Sequence, residues 1–217
     1  MKYMTLLLVC TVMIIGDLFA EAEDQNYKFI IGGGLLYHTL SKSDEFNRWT
    51  TSGKTYKLEN LTGLEAYFEY LVINNLAVGY RHQILYNYEK YDVSESQSTS
   101  KDRTRSIEIE NQIGYVSYFI PVGERKYWRL GGVGGWGISK YEYNIARPSP
   151  ELDFLESTSG TVIMLQLFAD WGMDGWGGRM GYNWISTDYS AMEVSQTDER
   201  TPDGSGRGVS VNFRYAF

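Results

Sequence analysis

Polar and apolar residues alternate along most of this chain with a period of two, the spacing that puts successive side chains on opposite faces of a β-strand. In residues 208–217, Val209, Val211, Phe213, Tyr215 and Phe217 share one face, and Ser210, Asn212, Arg214 and Ala216 share the other. Residues 61–70 set Leu64, Ala66, Phe68 and Tyr70 against Glu65, Tyr67 and Glu69, and residues 76–88 set Val78, Tyr80, His82, Ile84 and Tyr86 against Arg81, Gln83 and Asn87. Further on, Ile107, Ile109, Ile113 and Tyr115 oppose Glu108, Glu110, Gln112 and Gly114. Trp128, Leu130, Trp136 and Ile138 oppose Arg129. Ile163, Leu165, Leu167 and Trp171 oppose Gln166 and Asp170, and Trp176, Met180, Tyr182 and Trp184 oppose Arg179 and Asn183. With residues 27–39 around Gly32, Gly33 and Gly34, that predicts eight strands.

The stretches between them alternate in length. Residues 41–60, 89–105, 144–159 and 186–207 are long, polar and charged, whereas 72–75, 121–124 and 172–175 carry turn residues such as Asn74-Asn75 and Pro121-Val122-Gly123. An even number of antiparallel strands, with short turns at one end and long loops at the other, predicts an all-β, up-and-down transmembrane barrel with both termini on the short-turn side.

Composition agrees with strands. Aromatics make up 15% of the 217 residues, including 18 Tyr and 6 Trp, and there are 23 Gly but only 4 Pro. No run of 18 apolar residues follows the N-terminus, which excludes transmembrane helices from the rest of the chain.

The N-terminus reads as a signal peptide over 1–22: Lys2, an apolar run from Met4 to Ile15, then Ala20-Glu21-Ala22 as a small-x-small cleavage pattern. The alternative is an uncleaved anchor, disfavoured by the short run and by Asp17. Cleavage would leave 23–217 as the barrel domain. It would remove Cys10, the single cysteine, so that no disulfide or thiol chemistry remains. The net charge of −7 would become −6 with the loss of Lys2, Asp17 and Glu21, which argues against nucleic acid as a partner.

Alternation alone also fits a soluble barrel with its apolar face inward. The polar face decides between them. It carries Arg81, Arg129, Arg179 and Arg214 with Glu65, Glu69, Glu108, Glu110 and Asp170, and no lysine in the strand cores. Arginine suits buried, multiply hydrogen-bonded ion pairs, and near balance of sign suits charges paired in a narrow lumen. The expectation is therefore an apolar exterior facing lipid and an interior charge network of those nine residues, filling a barrel too narrow for much water.

With strand count, loop alternation and the aromatic terminal strand in place, the chain resembles the small bacterial outer-membrane barrels of the OmpA/OmpX/OmpW kind. The resemblance implies outer-membrane lipids as surroundings, a monomer, and a C-terminal signal formed by Val209, Val211, Phe213, Tyr215 and Phe217 that the barrel-assembly machinery reads. Known members anchor, adhere, resist host defences or conduct small, often apolar, solutes. For this chain it implies a structural or surface-interaction role, with host or envelope proteins contacted through the long loops. The alternative is an OmpW-like channel for apolar solutes, and a lipid A-modifying enzyme comes third.

Catalytic and cofactor motifs are weak. Gly132-Val133-Gly134-Gly135-Trp136-Gly137 matches G-x-G-x-x-G, but it runs into another alternating stretch rather than a helix. Glycines inside a strand more often make room in a crowded wall. His38 and His82 are the only imidazoles; neither stands in a His-x-Ser spacing, and two distant histidines without a cysteine build no conventional metal site. The expectation is a non-enzymatic protein without cofactor or metal.

Overall fold

The computed structural model describes residues 28–41, 48–51, 54–93, 101–122, 128–146, 154–172, 175–195 and 198–217. Among the described residues twelve strands follow one another: β1 (Phe29–Leu40), β2 (Arg48–Thr51), β3 (Lys54–Lys57), β4 (Asn60–Ile73), β5 (Leu76–Val93), β6 (Lys101–Val122), β7 (Trp128–Ala146), β8 (Phe154–Trp171), β9 (Gly175–Tyr189), β10 (Met192–Ser195), β11 (Asp198–Arg200) and β12 (Gly206–Ala216). Eight of them close an antiparallel barrel in the order β1-β12-β9-β8-β7-β6-β5-β4, while β2-β3 and β10-β11 form two small hairpins beside it. The start of β1 and the last residue of the chain complete the wall. Phe29 N donates to Phe217 O at 2.9 Å, and Phe217 N donates to Phe29 O at 2.9 Å.

The exterior is apolar. Leu35 is 68% exposed, Trp176 77% and Phe213 75%, a pattern that only a lipid-facing wall explains for so many large side chains. Aromatics gather at the short-turn end, where the Trp128 and Trp171 rings lie 6.0 Å apart, Phe29 and Phe217 5.7 Å, and Trp176 and Tyr215 5.1 Å. A second group, with Tyr182 against Trp184 at 4.6 Å, stands nearer the other end. Two aromatic girdles around an apolar band are what membrane interfaces select. Gly172, after β8, and Gly175, at the start of β9, have φ of 79° and 72°, a conformation that a side chain would strain.

Three expectations need correction. The long polar segments are largely strand. β5 runs on to Val93 and β6 starts at Lys101, β7 reaches Ala146 and β8 starts at Phe154, and residues 41–60 and 186–207 each hold a hairpin. Beyond the lipid neither face needs to be apolar, so the period-two signal fades while the ladder continues. Pro121 and Val122, expected in a turn, are the last residues of β6.

The third correction concerns β6, whose expected inward and outward faces are exchanged from Ile107 to Tyr115. Ile107, Ile109, Ile113 and Tyr115 are buried inside, and Glu108, Glu110 and Gln112 face outward. Glu108 and Glu110 therefore do not belong to the lumen. Ile107 and Ile109 lie in the upper apolar cluster, where the exterior is polar, whereas Ile113 and Tyr115 pack lower down, with Tyr115 against Arg81 and Glu69, while Val116 and Ile120 of the same strand face the lipid. The proposed signal peptide lies outside the described residues.

Candidate functional site: a stratified lumen

The interior has three layers. Nearest the short turns, Arg129, Arg179 and Arg214 converge on Asp170, all within the wall and all buried. Strand register places them. Arg129 pairs across the ladder with Asp170, Asp170 with Arg179, and Arg179 with Asn212. Arg129 Nη2 donates to Asp170 Oδ2 at 2.6 Å, and Arg179 Nε donates to Asp170 Oδ1 at 2.7 Å. Arg214 Nε lies 3.7 Å from Asp170 Oδ2. Arg179 also reaches Glu69 in a two-pronged contact, Nη1 to Oε1 at 2.7 Å and Nη2 to Oε2 at 2.9 Å, and the Tyr115 hydroxyl donates to Glu69 Oε1 at 3.1 Å. This fork geometry is why arginine rather than lysine fills the position. The guanidiniums also lie over aromatic rings, Arg129 4.3 Å from Phe119 and Arg179 4.1 Å from Phe168.

The middle layer is built on Glu65. Arg81 Nη1 lies 3.4 Å from its Oε2, Gln83 Nε2 donates to Oε2 at 2.9 Å, and Asn212 Nδ2 donates to Oε1 at 2.6 Å. A run of side chains then climbs away from it. Asn111 Nδ2 donates to Gln83 Oε1 at 3.2 Å, Ser139 Oγ donates to Asn111 Oδ1 at 2.7 Å, and the Tyr189 hydroxyl stands 2.6 Å from Ser139 Oγ. With the Ser139 proton given to Asn111, Tyr189 is the donor to Ser139. Every bond of the run then points toward the Glu65 carboxylate, an arrangement in which each dipole polarises the next.

The upper layer is apolar, with Leu36, Leu61, Leu85, Ile107, Tyr141 and Met192 among its buried members. His38 is buried in the wall at this level; its Nε2 faces the Gly204 carbonyl at 3.2 Å.

Seven of the nine residues expected in the lumen are therefore buried inside, and Glu108 and Glu110 face outward. The outward acids join a rim ladder in which His82 Nε2 lies 3.4 Å from Glu110 Oε1, Gln112 Nε2 donates to Glu110 Oε1 at 3.0 Å, and Lys140 pairs with Glu142. Sequence reading passed over Gln83, Asn111, Ser139, Gln166, Asn183 and Asn212. Their one signal was parity with a charged residue of their own strand, such as Gln83 two residues after Arg81 or Gln166 four before Asp170. The glycine-rich stretch 132–137 lies in the middle of β7 with no helix after it, and a Cβ at Gly135 would press within 2.7 Å of Ile113 and 2.9 Å of Tyr115. Of the C-terminal set, Val209, Val211, Phe213 and Phe217 face outward, and Tyr215 lies 6.0 Å from the Phe217 ring. Among the described residues no group of three or more His, Asp, Glu or Cys could hold a metal.

No protein-family model matches the chain, and no characterised protein matches it by sequence. Solved structures do. The outer membrane protein OprG from Pseudomonas aeruginosa superposes with a TM-score of 0.53 at 14% identity, covering 90% of this chain and 99% of that one. Ail, the attachment invasion locus protein of Yersinia pestis, gives 0.49 at 12% identity, covering 88% and 97%, and Neisserial surface protein A gives 0.49 at 11%, covering 87% and 97%. The fold is that of a small bacterial outer-membrane barrel.

Proposed function

From the fold it shares with outer-membrane barrels, we propose that the chain is an anchored surface module whose raised wall binds an extended segment of a host or envelope protein. The observation that carries this reading is the uneven height of the barrel. β5, β6, β7 and β8 have 18, 22, 19 and 18 residues, against 12, 14, 15 and 11 for β1, β4, β9 and β12. Half of the wall therefore stands above the other half as a four-stranded sheet. Its two edges differ. At β8, Ser190 N donates to Ser159 O at 3.4 Å and Thr158 Oγ1 donates to Ser190 O at 3.0 Å, which covers that side. At β5 the pairing with β4 ends at Tyr86, whereas the pairing with β6 continues to Val93.

Residues 89–93 thus carry a ladder edge beyond the end of β4, with no strand beside it among the described residues. A strand edge with unspent N–H and C=O groups takes up another strand, and proteins that keep such an edge exposed commonly use it for recognition. The lumen supports this reading over a channel, because the buried arginines and the amide run fill the path across the barrel.

The test is a shortened sheet. Lys90 and Thr104 are cross-strand partners, so joining them by deleting 91–103 removes the raised part of β5–β6 without altering register below. The deletion should leave a heat-modifiable, folded barrel and lower adhesion of expressing cells to host cells at least tenfold. Unchanged adhesion, or a steady ion current from the intact protein in planar bilayers, would turn the reading toward transport.

A further inference from the structure

The barrel mouth at the raised end is crossed by residues 201–205, which join β11 to β12. Ser41 N donates to Ser205 O at 2.8 Å, Thr187 N donates to Ser205 Oγ at 3.0 Å, and Gly204 N donates to Thr187 Oγ1 at 3.0 Å. Pro202 and Gly204 are buried. Gly204 fits so closely that a Cβ there would meet the Tyr189 hydroxyl at 2.8 Å and Ile109 Cδ1 at 3.1 Å. Its carbonyl can only accept, so the proton of His38 lies on Nε2, the atom facing it. The other ring nitrogen, Nδ1, is buried without a partner. The ring has no slack, since a Cβ at Gly206 would lie 2.7 Å from Nε2 and 2.9 Å from Cε1.

We propose that residues 201–205 are a strap that closes the lumen while His38 is neutral and lets go when the ring takes up a second proton. Protonation would put a cation and an unmatched N–H donor into an apolar layer, a cost that structures avoid by moving the group into water. The only atom holding the ring from the strap side is the Gly204 carbonyl, so the strap is what yields. The titratable groups around the ring offer no compensation. Tyr189 at the end of β9 is spent on Ser139, and Asp203 on the strap accepts from Ser205 N at 2.8 Å. Arg207 on β12 faces outward, and Glu59 ahead of β4 pairs with Lys57. Among the described residues, burial and the Gly204 carbonyl are what act on His38. Closure is thus complete above the pKa of a hydrated imidazole, about 6.5, and weakens progressively as the pH falls below it.

The experiment is solution NMR of the full refolded chain in micelles from about pH 7.5 to about pH 4.5, spanning imidazole titration. The His38 ring resonances and the Gly204 and Ser205 amides should move with one shared midpoint, and protection factors at Gly204, Ser205 and Ser41 should fall at least tenfold across it. His38→Gln keeps a donor to the carbonyl and cannot charge, so its strap should stay protected at every pH. Asp203→Asn keeps the Oδ1 acceptor and should still open. A strap that stays protected through the whole range in the wild-type protein would overturn the proposal. So would a transition that persists in His38→Gln or disappears in Asp203→Asn.

Discussion

Ser139 stands on β7 ten residues above Arg129, and one unbroken row of cross-strand neighbours leads from one to the other around the whole barrel. The row passes Arg129, Asp170, Arg179, Asn212, Gly34, Glu65, Gln83, Asn111 and Ser139, each paired in register with the next. The stagger of the closed wall is therefore ten residues per circuit, and the lumen chemistry follows that spiral.

Asp170 is the first point at which to cut it. Asp170→Asn removes a carboxylate shared by Arg129, Arg179 and Arg214 and leaves buried cations behind, which typically costs about 3–5 kcal/mol. Urea titration of the refolded barrel should register that loss. Lys57→Ala, at an exposed pair with Glu59, should change stability by less than about 0.5 kcal/mol. Similar losses for the two variants would mean that water reaches the lower layer.

Neighbours on β6 should behave in opposite ways. Asn111→Leu deprives Ser139 of its acceptor and Gln83 of its donor, and should cost about 1–3 kcal/mol. Glu108→Ala and Glu110→Ala, on the outer face, should stay within about 0.5 kcal/mol. The same urea titration distinguishes them, and a large loss for Glu110→Ala would restore the acids to the interior.

Glycines on the two faces of the wall offer a third contrast. A Cβ at Gly34 would collide with the Val211 carbonyl and come within 2.7 Å of Asn212 Oδ1, so Gly34→Ala should block closure of β1 on β12 and abolish heat-modifiable migration on gels. At Gly132 the nearest atoms are 3.7 and 3.9 Å away, and Gly132→Ala should fold as the wild type does.

Orientation is open to a direct check on cells. An epitope inserted between Asn74 and Asn75, in a short turn, should be hidden from antibody on intact cells. One inserted after Ser98, between β5 and β6, should be reached. The reverse labelling would invert the raised sheet.

The eight barrel strands and the inward arginines were legible because a lipid exterior and a filled polar interior impose opposite chemistry on alternate residues. That contrast fails in two places. On β6 the Ile–Glu alternation is strong but out of phase, since Ile107 and Ile109 lie above the apolar band and pack inward. In residues 101–105 both faces are polar, and in 89–93 only Tyr91 and Val93 interrupt the charges, so strand and loop read alike until the ladder itself is seen. Asn111, Ser139 and Asn212 were hidden for another reason. Their significance lies in register between strands, and the register follows from the ten-residue stagger, which no local pattern encodes.

The spiral crosses one position with no side chain. Because Gly34 leaves a gap, Asn212 on β12 reaches over β1 to Glu65 on β4, bonding at 2.6 Å. β1 and β12 lie at opposite ends of the barrel sequence, so this contact spans 147 residues and forms only after the wall has closed. Until then the carboxylate at the head of the amide run lacks one of its donors, and the run hangs from an incompletely held anchor. Interior order and closure of the cylinder thus become one folding event, and a sheet still open at that seam has little to gain from settling its side chains early.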